Sequence, residues 1–284
     1  MRAEVETATL SGAVEHAIEF AREAWREVWA ALAIQAMGVA LFYFAFQAPV
    51  RFGAAFAMVL VGLTLALAAS PPAAAALYRL SLGGAFAAEV GEGGLQWNRT
   101  ESNLGQVWLL FALLLIVIWF PLSIAAGLAL WLFRDLGSVS LGLFGHLQIG
   151  FMVAAAILAL GAAGWSWLLL RLSLASVASI SDGRVMLFDA WPLTAGRTLK
   201  IGLAWLVLHL PTAVSWGLAL LLTLIEAKAT GVQALPLPEA IGTALVIGAV
   251  SGVMQTPLTI GLFSYFYRPR PAETASPLRF AEGL

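Results

Sequence analysis

The chain has 284 residues, 61% hydrophobic and 11% charged, with fifteen basic against sixteen acidic side chains and no cysteine. That composition belongs to a polytopic membrane protein with one membrane domain rather than to a soluble domain built on one core. It excludes disulfides, thiolate metal sites and cysteine nucleophiles, and the dispersed, balanced charge gives no field that would draw nucleic acid.

The first twenty residues are rich in Glu and lack a basic head followed by an apolar run, so no cleaved signal peptide is expected. Over residues 11–28, Val14, Ile18, Ala21, Trp25 and Val28 fall on one helical stripe. Glu15, Glu19, Arg22, Glu23, Arg26 and Glu27 fall on the other side, which predicts an amphipathic helix forming a cytoplasmic unit over 1–28. Helices that lie on anionic lipid carry a basic polar face, and this face is mainly acidic. It is therefore expected to fold back under the bundle and meet Arg184 or Arg197, with docking of another protein through 11–28 or 175–198 as the alternative.

Six apolar stretches follow at about 29–46, 52–78, 106–133, 147–170, 199–225 and 240–266, each near or above the roughly 18 residues a bilayer requires. With the N-terminus inside, Arg2, Arg22, Arg26, Arg79, Arg99, Arg171, Arg184, Arg197, Lys200, Arg268, Arg270 and Arg279 are cytoplasmic, and only Arg51, Arg134 and Lys228 lie outside. This asymmetry satisfies the positive-inside rule. It predicts an all-α, six-crossing protein of a bacterial inner membrane, with a membrane domain over 29–267 and a cytoplasmic tail over 268–284. Asn98-Arg99-Thr100 spells a glycosylation sequon, but it falls on the cytoplasmic side and is set aside.

Leu77-Tyr78-Arg79-Leu80-Ser81-Leu82 recurs as Leu169-Leu170-Arg171-Leu172-Ser173-Leu174, and more weakly as Tyr265-Phe266-Tyr267-Arg268. Each copy closes an even-numbered crossing. Pro121 in the third crossing and Pro211 in the fifth also correspond. The chain thus reads as three hairpin units at about 12–82, 95–174 and 187–268, arranged around a pseudo-threefold axis along the membrane normal. Three two-helix units are similar in number to mitochondrial carriers, yet the charged signature is missing: Leu122-Ser123-Ile124 and Thr212-Ala213-Val214 follow the two prolines.

Small residues at four-residue intervals mark close packing faces on the even helices: Gly62, Ala66, Ser70 and Ala74; Ala155, Ala159 and Ala163; Ala240, Ala244, Gly248 and Gly252. In lipid such faces supply van der Waals contact that the hydrophobic effect does not. An internal contact is expected for the Gly248/Gly252 pair, with a homodimer face as the alternative.

Polar groups inside the crossings are the candidate site, because burying them in lipid is costly. Gln35, His209 and Gln255 stand out, with Ser123, Ser215, Thr256 and Thr259 as companions. His209 lies two residues before Pro211, whose ring frees backbone carbonyls, and Pro257 interrupts the sixth crossing beside Gln255 and Thr256. A ligand site at His209, Pro211, Gln255, Thr256 and Ser123 is one expectation; a neutral His satisfied by a neighbouring carbonyl is the other. His16, His146 and His209 fall at different depths and share no metal, and no nucleophile–base pair or phosphate loop is visible. No enzyme activity, metal or cofactor is expected.

The longest cytoplasmic connection has Asp182-Gly183 as a turn, then Val185, Leu187, Phe188 and Trp191 placed for the interface, with Arg184 and Arg197 toward headgroups. Gly196 supplies a bend before the fifth crossing. The run Gly183, Trp191, Leu193, Thr194, Gly196 resembles a loop in the membrane-domain family that accompanies some bacterial glycerophosphodiester phosphodiesterases and also occurs as stand-alone six-helix proteins. There a Gly precedes a short helix with an aromatic residue and a Leu-Thr-x-Gly turn. Glu23-Ala24-Trp25 is similar to the helix that opens such domains, whereas Pro192 departs from the pattern by breaking the short helix early. No phosphodiesterase catalytic domain accompanies it, so the resemblance implies a membrane fold and no hydrolysis. The expected function is a non-enzymatic membrane organiser that binds lipid or a protein partner; the alternative is a small-solute or lipid transporter with a midplane site between the hairpin units.

Overall fold

The computed structural model describes residues 9–47, 52–133, 138–140, 146–230 and 236–267. The chain is an all-α multi-pass membrane protein, and six of its helical segments are long and apolar enough to cross a bilayer. The helices are α1 (Leu10–Gln47), α2 (Phe52–Leu82), the short α3 (Gly84–Ala87), α4 (Arg99–Leu132), α5 (Ile149–Leu172), the short α6 (Ala175–Ser181), α7 (Thr198–Thr230), α8 (Leu237–Gly248) and α9 (Gln255–Phe266). A π-helical segment, Ala249–Met254, joins the last two. Between α4 and α5, Ser138–Ser140 pairs antiparallel with His146–Gln148.

The amphipathic segment and the first crossing form one helix. At about 1.5 Å per residue the 38 residues of α1 reach about 57 Å, well beyond a hydrocarbon core of about 30 Å. A kink at Val28 (φ −120°, ψ 17°) divides it where the apolar run begins. The connector between α2 and α4 is seated on that kink: a Cβ on Gly94 would fall 2.5 Å from Val28 Cγ1, and one on Gly93 2.8 Å from Ala30 Cβ. Both glycines also have φ above +60°, a conformation that disfavours a side chain.

The inner face of α1 differs from the expected stripe. Ala13, Ala17, Ala21, Ala24 and Val28 are buried, while Ile18 and Trp25 are about 40% exposed (39% and 41%). Small residues win because α9 lies against this face at backbone distance, a Cβ on Gly261 falling 3.0 Å from Ala17 Cα. The acidic side chains Glu15, Glu19, Glu23 and Glu27 are exposed. They do not meet the two expected arginines: Arg184 pairs with Asp189 at 3.9 Å and Arg197 donates to the Phe266 carbonyl at 3.0 Å.

The six long segments follow one another around a ring: α1 beside α2, α2 beside α4, α4 beside α5, α5 beside α7, α7 beside α8–α9, and α8–α9 back on α1. The ring is uneven, unlike the expected threefold arrangement. α1 packs closely on both neighbours, whereas α5 and α7 meet sparsely. Two of the three small-residue ridges explain the tight contacts. A Cβ on Gly248 would fall 2.5 Å from the Ala36 carbonyl oxygen, one on Gly252 2.6 Å from Ala36 Cα, and one on Gly62 2.7 Å from the Gly38 carbonyl oxygen. The ridge Ala155, Ala159, Ala163 instead faces outward; α5 packs on α4 through Gly150 and Ala154 against Ala126 and Ala129.

Burial is concentrated at one end. All of residues 71–79 and 172–180 are buried, and with Leu104, Ile201, Leu262 and Phe266 they form the main core. Toward the other end the helices expose Ile116, Phe120, Leu160 and Leu218, a surface suited to lipid and not to water.

Candidate functional site

The ring encloses a cavity of about 430 Å³ to which α1, α2, α4, α5, α6, α7 and α9 all contribute. This lies within the range of roughly 300–1,000 Å³ typical of ligand pockets. Its wall is aromatic and aliphatic, with Trp108, Phe111, Leu169, Trp205, Ile260 and Phe263 prominent. Its polar groups are the amides of Gln35 and Gln255 and the hydroxyls of Tyr78, Ser166, Ser173, Ser176, Thr256 and Thr259. No lining side chain is charged.

Local backbone irregularity aims the α9 groups. The π segment shifts register just before Gln255, and such segments accompany functional positions in many helices. Trp25 Nε1 donates to the Val253 carbonyl at 2.9 Å, satisfying a backbone group inside that irregular turn. Gln255 then accepts from the Thr212 hydroxyl and donates toward Thr259 Oγ1 at 3.4 Å, while Thr256 donates to Gln35 Oε1 at 3.4 Å. Tyr78 and Ser176 both line the cavity.

The lining residues that are also exposed lie on α5 and α7. These helices touch where a Cβ on Gly202 would fall 2.9 Å from Leu170 Cδ1, and one turn away Ser166, Leu169 and Trp205 line the cavity while remaining exposed. The surrounding surface, including Trp167, Leu203 and Leu206, is apolar and exposed.

Of the five ligand-binding residues expected from sequence, Gln255 and Thr256 line this cavity and three do not. Ser123 and Pro211 are exposed on the outside of the bundle. His209 bonds within its own helix, Nδ1–H donating to the Trp205 carbonyl at 2.9 Å, with the two rings stacked at 3.8 Å between centroids. Its polarity is met locally, so it marks no pocket. The polar groups not singled out from the sequence are Tyr78, Ser166, Ser173 and Ser176. Tyr78 and Ser173 lie within the repeat 77–82 and 169–174, in which Ser81 and Ser173 each bond the carbonyl three residues back.

Beside the cavity, the repeated arginines are structural in two different ways. Arg79, which closes the second crossing, is 1% exposed and held by Glu101, Asn98 and Glu89. Asn98 caps α4, its side chain accepting from Thr100 N and its own N–H donating to Glu101 at 2.9 Å. Arg171 lies over the Trp191 ring at 4.7 Å and donates to Thr198 at 3.3 Å. Thr194, fully buried, donates to the Arg171 carbonyl at 2.9 Å and ties the connection Phe188–Thr194 to the end of α5. Just before that connection Leu187 is packed inside, and Phe188 is 61% exposed; Gly183 and Gly196 take the left-handed turns expected of them. Arg268 lies outside the described residues, as do Arg51 and Arg134. Among the described residues no cluster of His, Asp and Glu could hold a metal ion.

Neither a family model, a curated protein nor a solved structure matches the chain.

Proposed function

We propose that this protein is a non-enzymatic, multi-pass protein of a bacterial inner membrane that binds lipid within its helix ring and so acts as a membrane organiser. The observation that carries this reading is that the exposed lining residues of the cavity, Ser166, Leu169 and Trp205, lie on α5 and α7, on a surface that is otherwise apolar. A lipid chain can pass from bilayer to cavity there without crossing water. The distribution of basic residues supports cytoplasmic termini, which puts the cavity in the cytoplasmic leaflet, close to the depth of Arg171. The Gly183–Gly196 loop outline supports kinship with the phosphodiesterase-associated membrane domains without their hydrolysis. The exposed acidic row Glu15, Glu19, Glu23, Glu27 suits a basic protein partner, a further part of the organiser reading.

Lipid transport is the second reading, favoured by the π segment and Pro257 beside Gln255, because interrupted helices at a binding site are a feature of transporters. Lipid extraction from protein purified in mild detergent tests the main reading. Wild type should carry a lipid species near one per chain, and Ser166→Phe, which adds bulk at an exposed lining position, should carry less. Equal lipid in both would overturn the proposal.

A further inference from the structure

The charged side chains next to lining residues in sequence, Arg79 and Arg171, are absent from the cavity lining, and the Arg171 Nε is buried without a hydrogen-bond partner among the described residues. Arg79 is paired with Glu101, Arg171 is turned onto Trp191 and Thr198, and Arg197 donates to Phe266. What faces the cavity is neutral: amides at Gln35 and Gln255, hydroxyls at Ser166, Ser176, Thr256 and Thr259. A phosphate head drawn into this space would surrender its hydration with no cation to replace it, which is strongly unfavourable. An uncharged head with hydroxyl and ester oxygens meets the opposite situation. Gln35 uses its oxygen to accept from Thr256, and its amide nitrogen donates to no protein atom among the described residues. That nitrogen is a donor for an ester carbonyl, and the threonine and serine oxygens accept from a lipid hydroxyl.

Size points the same way. A volume of about 430 Å³ takes a compact glycerol head and the first part of its chains, water itself occupying about 30 Å³ in the liquid. The remaining chain leaves past the exposed Leu169 and Trp205 of α5 and α7. We propose that the cavity selects an uncharged, hydroxyl-bearing lipid of the diacylglycerol class over anionic phospholipid. This rests on the reading of the cavity as a lipid site.

The test is native mass spectrometry of the full chain in mild detergent with equal concentrations of dioleoylglycerol and dioleoylphosphatidylglycerol. Wild type should retain dioleoylglycerol about ten-fold better, the equivalent of one good hydrogen-bonding difference. Gln35→Leu and Thr256→Val, which remove the polar contacts and keep the volume, should each erase most of that preference. Ser166→Phe should lower retention of both lipids. Equal or greater retention of phosphatidylglycerol, still sensitive to Ser166→Phe, overturns the neutral-head proposal and leaves the lipid cavity standing. An unchanged preference in both polar variants overturns the assigned recognition groups. Retention of neither lipid, or retention indifferent to Ser166→Phe, overturns the lipid reading and this proposal with it.

Discussion

Arg79 and Glu101 are both excluded from solvent and pair with each other across the α2–α4 connection, so a full ion pair sits inside the core of a membrane protein. Desolvating two charges is expensive, and the pair is tolerated because its remaining hydrogen-bonding capacity is used. Asn98 accepts from Arg79 at 3.3 Å, and Glu101 accepts from the Asn98 N–H at 2.9 Å. One cluster therefore fixes the end of α2 and the start of α4, which is where the cavity floor at Tyr78 begins.

Arg79→Met should consequently destabilise the protein severely, by about 3–5 kcal/mol, because it leaves Glu101 buried and uncompensated. Adding Glu101→Gln, which keeps an oxygen for the Asn98 N–H, should restore more than half of the loss. Thermal midpoints of the two variants in one detergent decide the matter. A double variant no better than the single one would mean that the cluster acts by shape alone.

The contact of α1 with α8 and the π segment leaves no room for side chains. Gly248→Leu and Gly252→Leu should each cost about 1–3 kcal/mol or more through forced separation of the helices. Leu245→Ala, at a position 63% exposed, should cost about 0.5 kcal/mol. Thermal midpoints again provide the comparison, and equal midpoints for all three would place this ridge toward lipid.

Which features were legible in the sequence follows from what each one depends on. The crossings are written in apolar run length, and the ridges Gly62/Ala66 and Gly248/Gly252 in a four-residue spacing that lipid packing demands. The Ala155 ridge has the same spacing and faces outward, because periodicity identifies a face without saying what it meets. On α1, ranking residues by hydrophobicity favoured Ile18 and Trp25, whereas backbone contact with Gly261 requires Ala17. Arg79 looks like any arginine at a helix end until folding brings Glu101 to it. Gln35, Gln255 and Thr256 were visible as rare polar groups in apolar helices. His209 was visible for the same reason, but the carbonyl that satisfies it lies one turn back on its own helix, and composition does not register that bond.

Sidedness is open to a direct measurement. Cysteines at Arg184 and Asp189, both over 60% exposed (63% and 61%), should react with an impermeant maleimide only after the membrane is opened. Cysteines at Arg51 and at exposed Glu239 should react in intact spheroplasts. Labelling at position 184 in intact spheroplasts would reverse the orientation drawn from the basic residues, and the leaflet assigned to the cavity with it.

His209 and Gln255 should separate cleanly when each is replaced by leucine. In His209→Leu the Trp205 carbonyl loses a side-chain donor at 2.9 Å, but a carbonyl within a continuous helix keeps its backbone partner, so the cost stays within about 0.5–1.5 kcal/mol. The cavity wall at Trp205 is retained, and bound lipid should be unchanged. Gln255 is 9% exposed and ties α9 to α7 through Thr212 and to Thr259. Gln255→Leu strands the Thr212 hydroxyl and removes an amide from the cavity, so it should lower both the thermal midpoint and the lipid retained through purification. Lipid extracted from the two variants, weighed against wild type, provides the measurement. If His209→Leu loses lipid as Gln255→Leu does, the binding site extends along α7 beyond the cavity, and the midplane pair His209–Gln255 becomes its centre.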